Sequence, residues 1–301
     1  MHRATGMTHS LRRPTLLLAL AALVAVPACA PIAAAPASPV APATATPRVG
    51  PPAGALVVAG GGLLDSTVLG RFIALAGGPD APIVVVPTAG EDSTYPADWR
   101  GMNGLRAAGA RNLRLLHTTD RAVADSPEFA RAIDEARGVW FAGGRQWRLV
   151  DAYADTRTER ALHALLARGG VVGGTSAGAS IQASYLVRGA RAGNRIMMAP
   201  GYERGFGFLR DVAVDQHVLA RGRVTDLAPV LRAHPALLGI GIDEGTAIVV
   251  QGDRFEVVGR STVYVHGGRD ATPPDTAYLT LRAGDAYDMA ARRRLPPEGA
   301  R

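Results

Sequence analysis

The chain has 301 residues, of which 48% are hydrophobic and 20% charged, so it can bury the core of one globular domain or of two small ones. Its formal charge is +7, and all 33 basic residues are arginines. The absence of lysine excludes a Schiff-base lysine, a Ser-Lys dyad and a P-loop lysine. The single cysteine, Cys29, cannot form an internal disulfide, a zinc cluster or an iron–sulfur site.

The first segment of the chain has the pattern of an export signal over residues 1–29. Three arginines precede an apolar run at 16–26, which is too short to span a bilayer but fits a signal-peptide core. The sequence Val26-Pro27-Ala28-Cys29 that ends it resembles a bacterial lipobox, which predicts lipidation at Cys29. Two alternatives stay open: ordinary cleavage after Ala30, and a cysteine without a role in a discarded peptide.

Residues 30–53 are mostly Ala and Pro and predict an extended linker. A folded domain is predicted over 54–290, followed by an arginine-rich, disordered tail over 291–301. These segments predict an exported protein, either a lipoprotein of the cell envelope on its periplasmic or extracellular face or a secreted protein. Its arginines are scattered without aromatic interleaving, so no nucleic-acid partner is expected, and a homodimer is compatible with the sequence.

Short apolar strands alternate with helical segments in the first part of the domain, which predicts an α/β fold with a mostly parallel, doubly wound sheet and flanking helices. After residue 235 the pattern changes to a β-hairpin and further strands. Active groups in such sheets lie beyond the carboxyl ends of the strands. The predicted strands are 55–59, 83–86, 113–116, 138–141, 171–172, 246–250, 255–258, 263–265 and 277–281. The predicted helices are 66–76, 98–108, 126–136 and 158–167.

The segment Gly174-Thr175-Ser176-Ala177-Gly178 matches the G-x-S-x-G pattern of a nucleophile elbow. Small neighbours are needed because the serine sits on a tight turn between a strand and a helix. The helix after Ser176 is predicted over 177–185. The backbone N–H of Ala177 would then point at a developing oxyanion. The alternative is a glycine-rich turn that binds phosphate or has no chemical role.

A serine nucleophile needs a base. Among the histidines outside the signal region, His217 has the sequence setting that most favours this role. An apolar strand at 212–214 ends in Asp215-Gln216-His217. His163 lies in a helical pattern and His234 at a helix end, which favours structural roles. His117 and His266 lie at strand ends and stay candidates.

A carboxylate must hold the imidazole of the base. The strand at 238–242 ends in Asp243 and Glu244, and strand alternation places these two on opposite sides, so only one can face the site. On the residues alone, the acid is Glu244, Asp243 or Asp215.

Taken together, these segments resemble the cyanophycinase branch of the cyanophycinase/dipeptidase E serine peptidases. The resemblance spans about residues 55–250 and implies a fold like that of the class I glutamine amidotransferases. The segments that carry it are the glycine-rich end of the first strand, Pro87-Thr88-Ala89-Gly90, Trp140-Phe141-Ala142-Gly143-Gly144-Arg145-Gln146, Gly173-Gly174-Thr175-Ser176-Ala177-Gly178-Ala179, Asp215-Gln216-His217, Arg221-Gly222-Arg223 and Gly239-Ile240-Gly241-Ile242-Asp243-Glu244.

The resemblance implies Ser176 as nucleophile, His217 as base and Glu244 as the carboxylate that orients it. It places a second oxyanion donor at the Gly143-Gly144 turn, on Gly144. It also matches five residues to substrate-pocket positions: Gln146, Asp215, Gln216, Arg221 and Arg223. The chain departs from the family pattern at Arg145, where an aspartate is typical, and at Asp226, where an arginine is typical.

The resulting hypothesis is an exported serine peptidase that forms an acyl-enzyme and needs no metal or organic cofactor. Its expected substrates are aspartyl peptides of the β-Asp-Arg type or a cyanophycin-like polymer. Two alternatives remain: an α/β-hydrolase esterase using Ser176, Asp226 and His266, and a non-catalytic binding domain on an amidotransferase-like scaffold.

Overall fold

The computed structural model describes residues 49–268 and 278–297. The predicted signal, Cys29 and most of the predicted linker lie outside the described residues. No helix in the described part of the chain is both long and apolar enough to cross a membrane.

A larger sheet forms the centre of the domain, and it has nine strands within the described ranges, in the order β14-β13-β10-β9-β1-β5-β4-β2-β3. Five of its strands are parallel, and they are β1 (Ala55–Ala59), β2 (Ile83–Val86), β3 (Leu113–Leu115), β4 (Gly138–Phe141) and β5 (Val171–Thr175). The antiparallel extension is formed by β9 (Thr246–Gln251), β10 (Arg254–Gly259), β13 (Ala286–Asp288) and β14 (Arg293–Arg294).

A second sheet, with five strands in the part of the chain that is described, has the order β12-β11-β8-β7-β6. Its strands are β6 (Ala183–Tyr185), β7 (Leu209–Gln216), β8 (Leu238–Ile242), β11 (Thr262–His266) and β12 (Tyr278–Arg282). Strands β6, β7 and β8 are parallel, whereas β11 and β12 are antiparallel. This sheet brings the segment before His217 and the segment before Glu244 side by side, because Gln216 is in register with Ile242.

Helices cover both faces of the larger sheet, since its strands are apolar on both sides. The helices are α1 (Ser66–Ala76), α2 (Asn103–Ala107), α3 (Arg121–Ala124), α4 (Pro127–Asp134), α5 (Gln146–Tyr153), α6 (Arg157–Ala167), α7 (Ala177–Ser180) and α8 (Ala228–Ala233). One core joins α1 and α2 to one face of the sheet. A larger core joins α4, α5, α6 and the second sheet to the other face.

The predicted fold class, a mostly parallel α/β sheet with additional antiparallel strands, is confirmed. The second sheet was not predicted, because strand patterns do not reveal which strands pair. The predicted helix over 177–185 is only one turn, α7, and the chain then enters β6. Helix α5 was not predicted.

The predicted disordered tail is wrong at its start. Residues 293–294 form β14 on β13, and the Leu295 N–H donates to the Ala286 carbonyl at 2.8 Å. The ordered domain also begins before residue 54, because the Val49 N–H donates to Asp253 Oδ1 at 2.7 Å.

Candidate active site

Ser176 lies on a strained turn between β5 and α7, with φ 56° and ψ −113°. A positive φ is unusual for a residue other than glycine, and here the surrounding packing holds it. A Cβ on Gly174 would lie 2.3 Å from the Gly178 carbonyl oxygen, and one on Gly178 would lie 2.4 Å from the Phe141 carbonyl oxygen. The two glycines of the elbow are therefore required by close backbone contacts, and they leave Ser176 partly exposed.

His217 and Glu244 complete a chain of hydrogen bonds that begins at Ser176. Ser176 Oγ is 2.9 Å from His217 Nε2, and His217 Nδ1 is 2.6 Å from Glu244 Oε1. A carboxylate can only accept, so Nδ1 carries the proton of the neutral ring and Nε2 accepts from the serine hydroxyl. This tautomer leaves Nε2 free to take the serine proton.

The turn after β1 packs against both partners of the serine. A Cβ on Gly61 would lie 2.1 Å from His217 Cε1, and one on Gly62 would lie 2.7 Å from Glu244 Oε2. The Gly60 carbonyl accepts from the His217 N–H at 2.9 Å. The glycine-rich end of β1 thus packs directly against the imidazole of His217 and the carboxylate of Glu244. The sequence analysis did not predict this packing role.

The electrostatic surroundings favour a neutral His217. Burial lowers the pKa of His217, the hydrogen bond to Glu244 raises it, and the nearby cations Arg221 and Arg223 lower it further. The net direction is downward, so the imidazole is able to accept a proton at neutral pH.

The three acids that the sequence left open have different partners. Glu244 contacts His217, whereas Asp243 accepts from the N–H groups of Leu219 and Ala220 at 3.0 and 2.9 Å and from Ser261 Oγ at 2.6 Å. Burial would raise the pKa of Asp243, but these hydrogen bonds lower it below its usual value. Asp243 therefore fixes the loop that follows His217.

Asp215 has no exposed surface, and both of its oxygens accept from Arg188 at 2.7 Å. Asp215, which the resemblance matches to a substrate-pocket position, is part of a buried ion pair in this structure, and its role toward the substrate stays a prediction. The same guanidinium donates to Asp226 Oδ2 at 2.7 Å. Asp226, where the family pattern has an arginine, thus shares this buried guanidinium with Asp215.

The other four predicted pocket residues differ in accessibility. Gln146 and Gln216 are almost fully buried, and Gln146 Nε2 donates to the Val187 carbonyl at 3.4 Å. Arg221 is exposed and Arg223 half-buried, and the Arg223 guanidinium has one buried nitrogen, Nη1, without a partner in the described part of the chain. The two arginines are therefore the members of the set that a substrate could reach most directly.

The predicted oxyanion donors lie on two segments that meet at Ser176. Ala177 is the first residue of α7, so its N–H has no acceptor within the helix. Across the gap, a Cβ on Gly143 would lie 3.3 Å from Ser176 Cβ and 3.9 Å from its Oγ. Gly144 follows directly with φ 147°. The Gly143-Gly144 turn therefore borders the serine.

The triad of the esterase alternative is not assembled in this structure. His266 is buried in β11, where burial lowers its pKa to about 4, and Asp226 pairs with Arg188. His117, the other open candidate, bonds to Thr88 and to the Ser93 carbonyl. Within residues 49–268 and 278–297, no cluster of His, Cys, Asp and Glu has the composition of a metal site.

Comparisons with known proteins identify the class to which this fold and this site belong. A peptidase from an acI-B1 actinobacterium has a crystal structure that matches with a TM-score of 0.61 at 25% identity, covering 78% of this chain and 97% of that one. The family model for peptidase family S51 matches residues 56–258. The protein is a serine-type peptidase, and the chain belongs to peptidase family S51.

Two curated relatives are named cyanophycinases. The cyanophycinase of Geminocystis herdmanii is 34% identical over 240 residues, which cover 73% of this chain and 87% of the relative. The cyanophycinase of Synechococcus elongatus is 33% identical over 236 residues, which cover 75% and 72%. The resemblance to cyanophycinase-like peptidases is thereby confirmed.

Proposed function

We propose that the chain is an exported serine peptidase that cleaves aspartyl peptides through Ser176, His217 and Glu244. The observation that supports this most directly is the pair of hydrogen bonds at 2.9 and 2.6 Å that link the three side chains in the order Ser–His–Glu. Strain at Ser176 and a neutral, buried His217 support the same assignment.

In the proposed reaction, Ser176 Oγ attacks the carbonyl carbon of an amide while His217 Nε2 takes the hydroxyl proton. The N–H groups of Ala177 and the Gly143-Gly144 turn would bind the developing oxyanion. The carbon–nitrogen bond then breaks, and His217 gives its proton to the leaving amine. Water, deprotonated by His217, releases the acyl group and restores the serine.

The proposed substrate is a cyanophycin-like polymer or a β-Asp-Arg peptide, because the curated relatives are named cyanophycinases. Arg221 and Arg223 supply cationic groups that suit a substrate carboxylate.

The direct test is mass spectrometry of the soluble products released from insoluble cyanophycin by the protein and by its Ser176→Ala variant. Release of β-Asp-Arg dipeptides by the parent alone is expected. If neither releases peptide while a fluorophosphonate still labels Ser176, the substrate proposal is overturned and the serine chemistry stands. Equal release by both proteins would overturn the assignment of Ser176.

The proposed location is the cell envelope, with a lipid anchor on Cys29, because a lipobox-like sequence follows the predicted signal core. Cell fractionation tests this. The parent is expected in the membrane fraction and a Cys29→Ala variant outside it. A Cys29→Ala variant that stays in the membrane fraction would contradict lipidation, and a parent found outside that fraction would favour simple secretion.

A further inference from the structure

A second set of hydrogen-bonded side chains is centred on Thr88, which directly precedes the residue that packs against Gly144. Thr88 Oγ1 is 2.8 Å from His117 Nδ1 and 2.6 Å from the Tyr153 hydroxyl, and His117 Nε2 is 3.1 Å from the Ser93 carbonyl oxygen. We call Thr88, His117 and Tyr153 the Thr88 relay. Thr88 and Tyr153 are fully buried, and the hydrogen bonds of these described residues do not connect with those of Ser176, His217 and Glu244.

The direction of every hydrogen bond in the Thr88 relay follows from the Ser93 carbonyl. This oxygen can only accept, so His117 Nε2 carries the proton, and Nδ1 of the neutral ring must accept from Thr88. Having donated its one hydrogen, Thr88 accepts from Tyr153. Burial lowers the pKa of His117 although the bond to Ser93 raises it, which agrees with a neutral ring. Thr88 is thereby held from two sides.

The residue after Thr88 connects the relay to the predicted oxyanion turn. The Ala89 carbonyl accepts from the Arg145 N–H at 2.8 Å, and a Cβ on Gly144 would lie 2.0 Å from that carbonyl oxygen. The Gly90 N–H donates to the Pro87 carbonyl at 2.7 Å, so residues 87–90 form a tight turn. This turn fixes where the Gly144 backbone can lie.

The other side of the same backbone faces the serine, because Gly143 borders Ser176 Cβ and Oγ. A displacement of residues 87–90 would therefore move the Gly143-Gly144 turn relative to Ser176. Errors of about 1 Å in such geometry can cost on the order of a hundredfold in rate.

We infer that Thr88 is a positioning residue for the oxyanion-binding turn, and that its hydroxyl, held between His117 and Tyr153, sets the distance between Gly144 and Ser176. The inference rests on the proposed function, in which that turn binds the oxyanion. It predicts that the Thr88 hydroxyl affects the chemical step and not the binding of the reagent or substrate.

The test measures labelling of Ser176 by an alkyl fluorophosphonate, resolved into the maximal rate kinact and the half-saturating concentration KI. Thr88→Val removes only the hydroxyl, and Thr88→Ser keeps it. The matched control is Thr158→Val, since Thr158 is a second buried threonine whose hydroxyl donates to the Ala124 carbonyl at 2.6 Å, between α6 and α3. Thermal midpoints are recorded for each variant.

We expect kinact of Thr88→Val to fall about tenfold or more with KI unchanged, while Thr88→Ser and Thr158→Val stay within about threefold of the parent. Tyr153→Phe, which removes one of the two partners of Thr88, gives a smaller fall in kinact and serves if Thr88→Val does not fold. Parental kinact in both Thr88→Val and Tyr153→Phe overturns the inference, as does an equal fall in Thr158→Val. Ser176→Ala serves as the blank for labelling. A parent protein that is labelled no more than this blank overturns the proposed function, whereas a labelled parent with unchanged Thr88 and Tyr153 variants overturns only the inference.

Discussion

At the scale of single residues, the adjacent carboxylates Asp243 and Glu244 do different work because they leave the end of β8 in different directions. Glu244 is 2.6 Å from the imidazole of His217. Asp243 accepts three hydrogen bonds from the loop after His217 and from Ser261. One therefore acts on the charge of the imidazole, and the other on the position of the backbone that carries it.

This difference predicts separable effects of two conservative substitutions. Glu244→Gln keeps the size of the side chain but removes the charge that stabilises the imidazolium, so fluorophosphonate labelling of Ser176 is expected to slow by about 10²- to 10⁴-fold with little change in thermal midpoint. Asp243→Asn is expected to lower the midpoint more than Glu244→Gln does and to slow labelling less. The reverse order would assign the orienting carboxylate to Asp243.

In the proposed reaction, the pKa of His217 sets the acid limb of the rate, because only the neutral ring can accept the serine proton. Burial lowers this pKa, and the cation of Arg223 contributes to lowering it. Removing that cation in Arg223→Gln makes protonation easier, so the pKa rises and the acid limb of the labelling rate moves to higher pH. The exposed Arg160→Gln is the control and leaves the profile unchanged. A shift toward lower pH in Arg223→Gln would contradict the assignment of His217 as the base.

At the scale of elements, the buried guanidinium of Arg188 joins β7 to the segment that carries Asp226. Its side chain is 1% exposed and that of Asp215 is 0% exposed, so the pair is inaccessible to water. Burial lowers the pKa of Arg188, but the hydrogen bonds that it donates to Asp215 and Asp226 raise this pKa above its usual value overall, and the group stays charged.

Removing one partner of such a pair leaves a buried, uncompensated charge. Arg188→Met is therefore expected to lower the free energy of unfolding by about 3–5 kcal/mol in urea titrations. The double variant Arg188→Met, Asp215→Asn should recover part of this loss, because it removes the stranded carboxylate. Arg160→Met, in a solvent-exposed pair with Asp125, is the control and is expected to change little. No recovery in the double variant would contradict the charge explanation.

Helices and strands were predicted correctly where the local sequence carries a capping residue or an apolar run. Asp65 and Ser126 cap the helices α1 and α4 with their side chains, and the predicted apolar strands overlap those of the structure, although β5 extends to Thr175, beyond the predicted 171–172. The one-turn helix α7 was predicted too long, because Gln182 and Ala183 are compatible with a helix in isolation. In the fold, pairing of β6 with β7 overrides that propensity.

At the scale of the whole molecule, both ends of the described domain extend beyond the boundaries predicted from composition. Val49 bonds to Asp253 in the β9–β10 hairpin, and its carbonyl accepts from the Arg210 N–H in β7 at 2.8 Å. The segment before residue 54 thus connects the two sheets. At the other end, β14 extends the edge of the larger sheet.

A truncated protein of residues 54–290 is therefore expected to melt several degrees below one of residues 46–297, because each lost hydrogen bond contributes about 1 kcal/mol. Differential scanning calorimetry of the two, with residues 30–301 as reference, measures this. Equal midpoints for all three would show that the two end segments add nothing to stability.

The sequence by itself determined the α/β class, the elbow around Ser176 and the candidate histidine, because periodicity, small residues around a turn and polar residues at strand ends are local patterns. Only the tertiary structure placed Glu244 against His217, revealed the second sheet and showed that Asp215 is buried against Arg188. Ser176 and His217 are 41 positions apart and lie at the ends of strands in different sheets, and Arg188 and Asp215 are 27 apart. Contacts between residues so far apart in the sequence depend on how the two sheets pack. The local sequence around Arg188 and Asp215 is compatible with either a buried or an exposed ion pair.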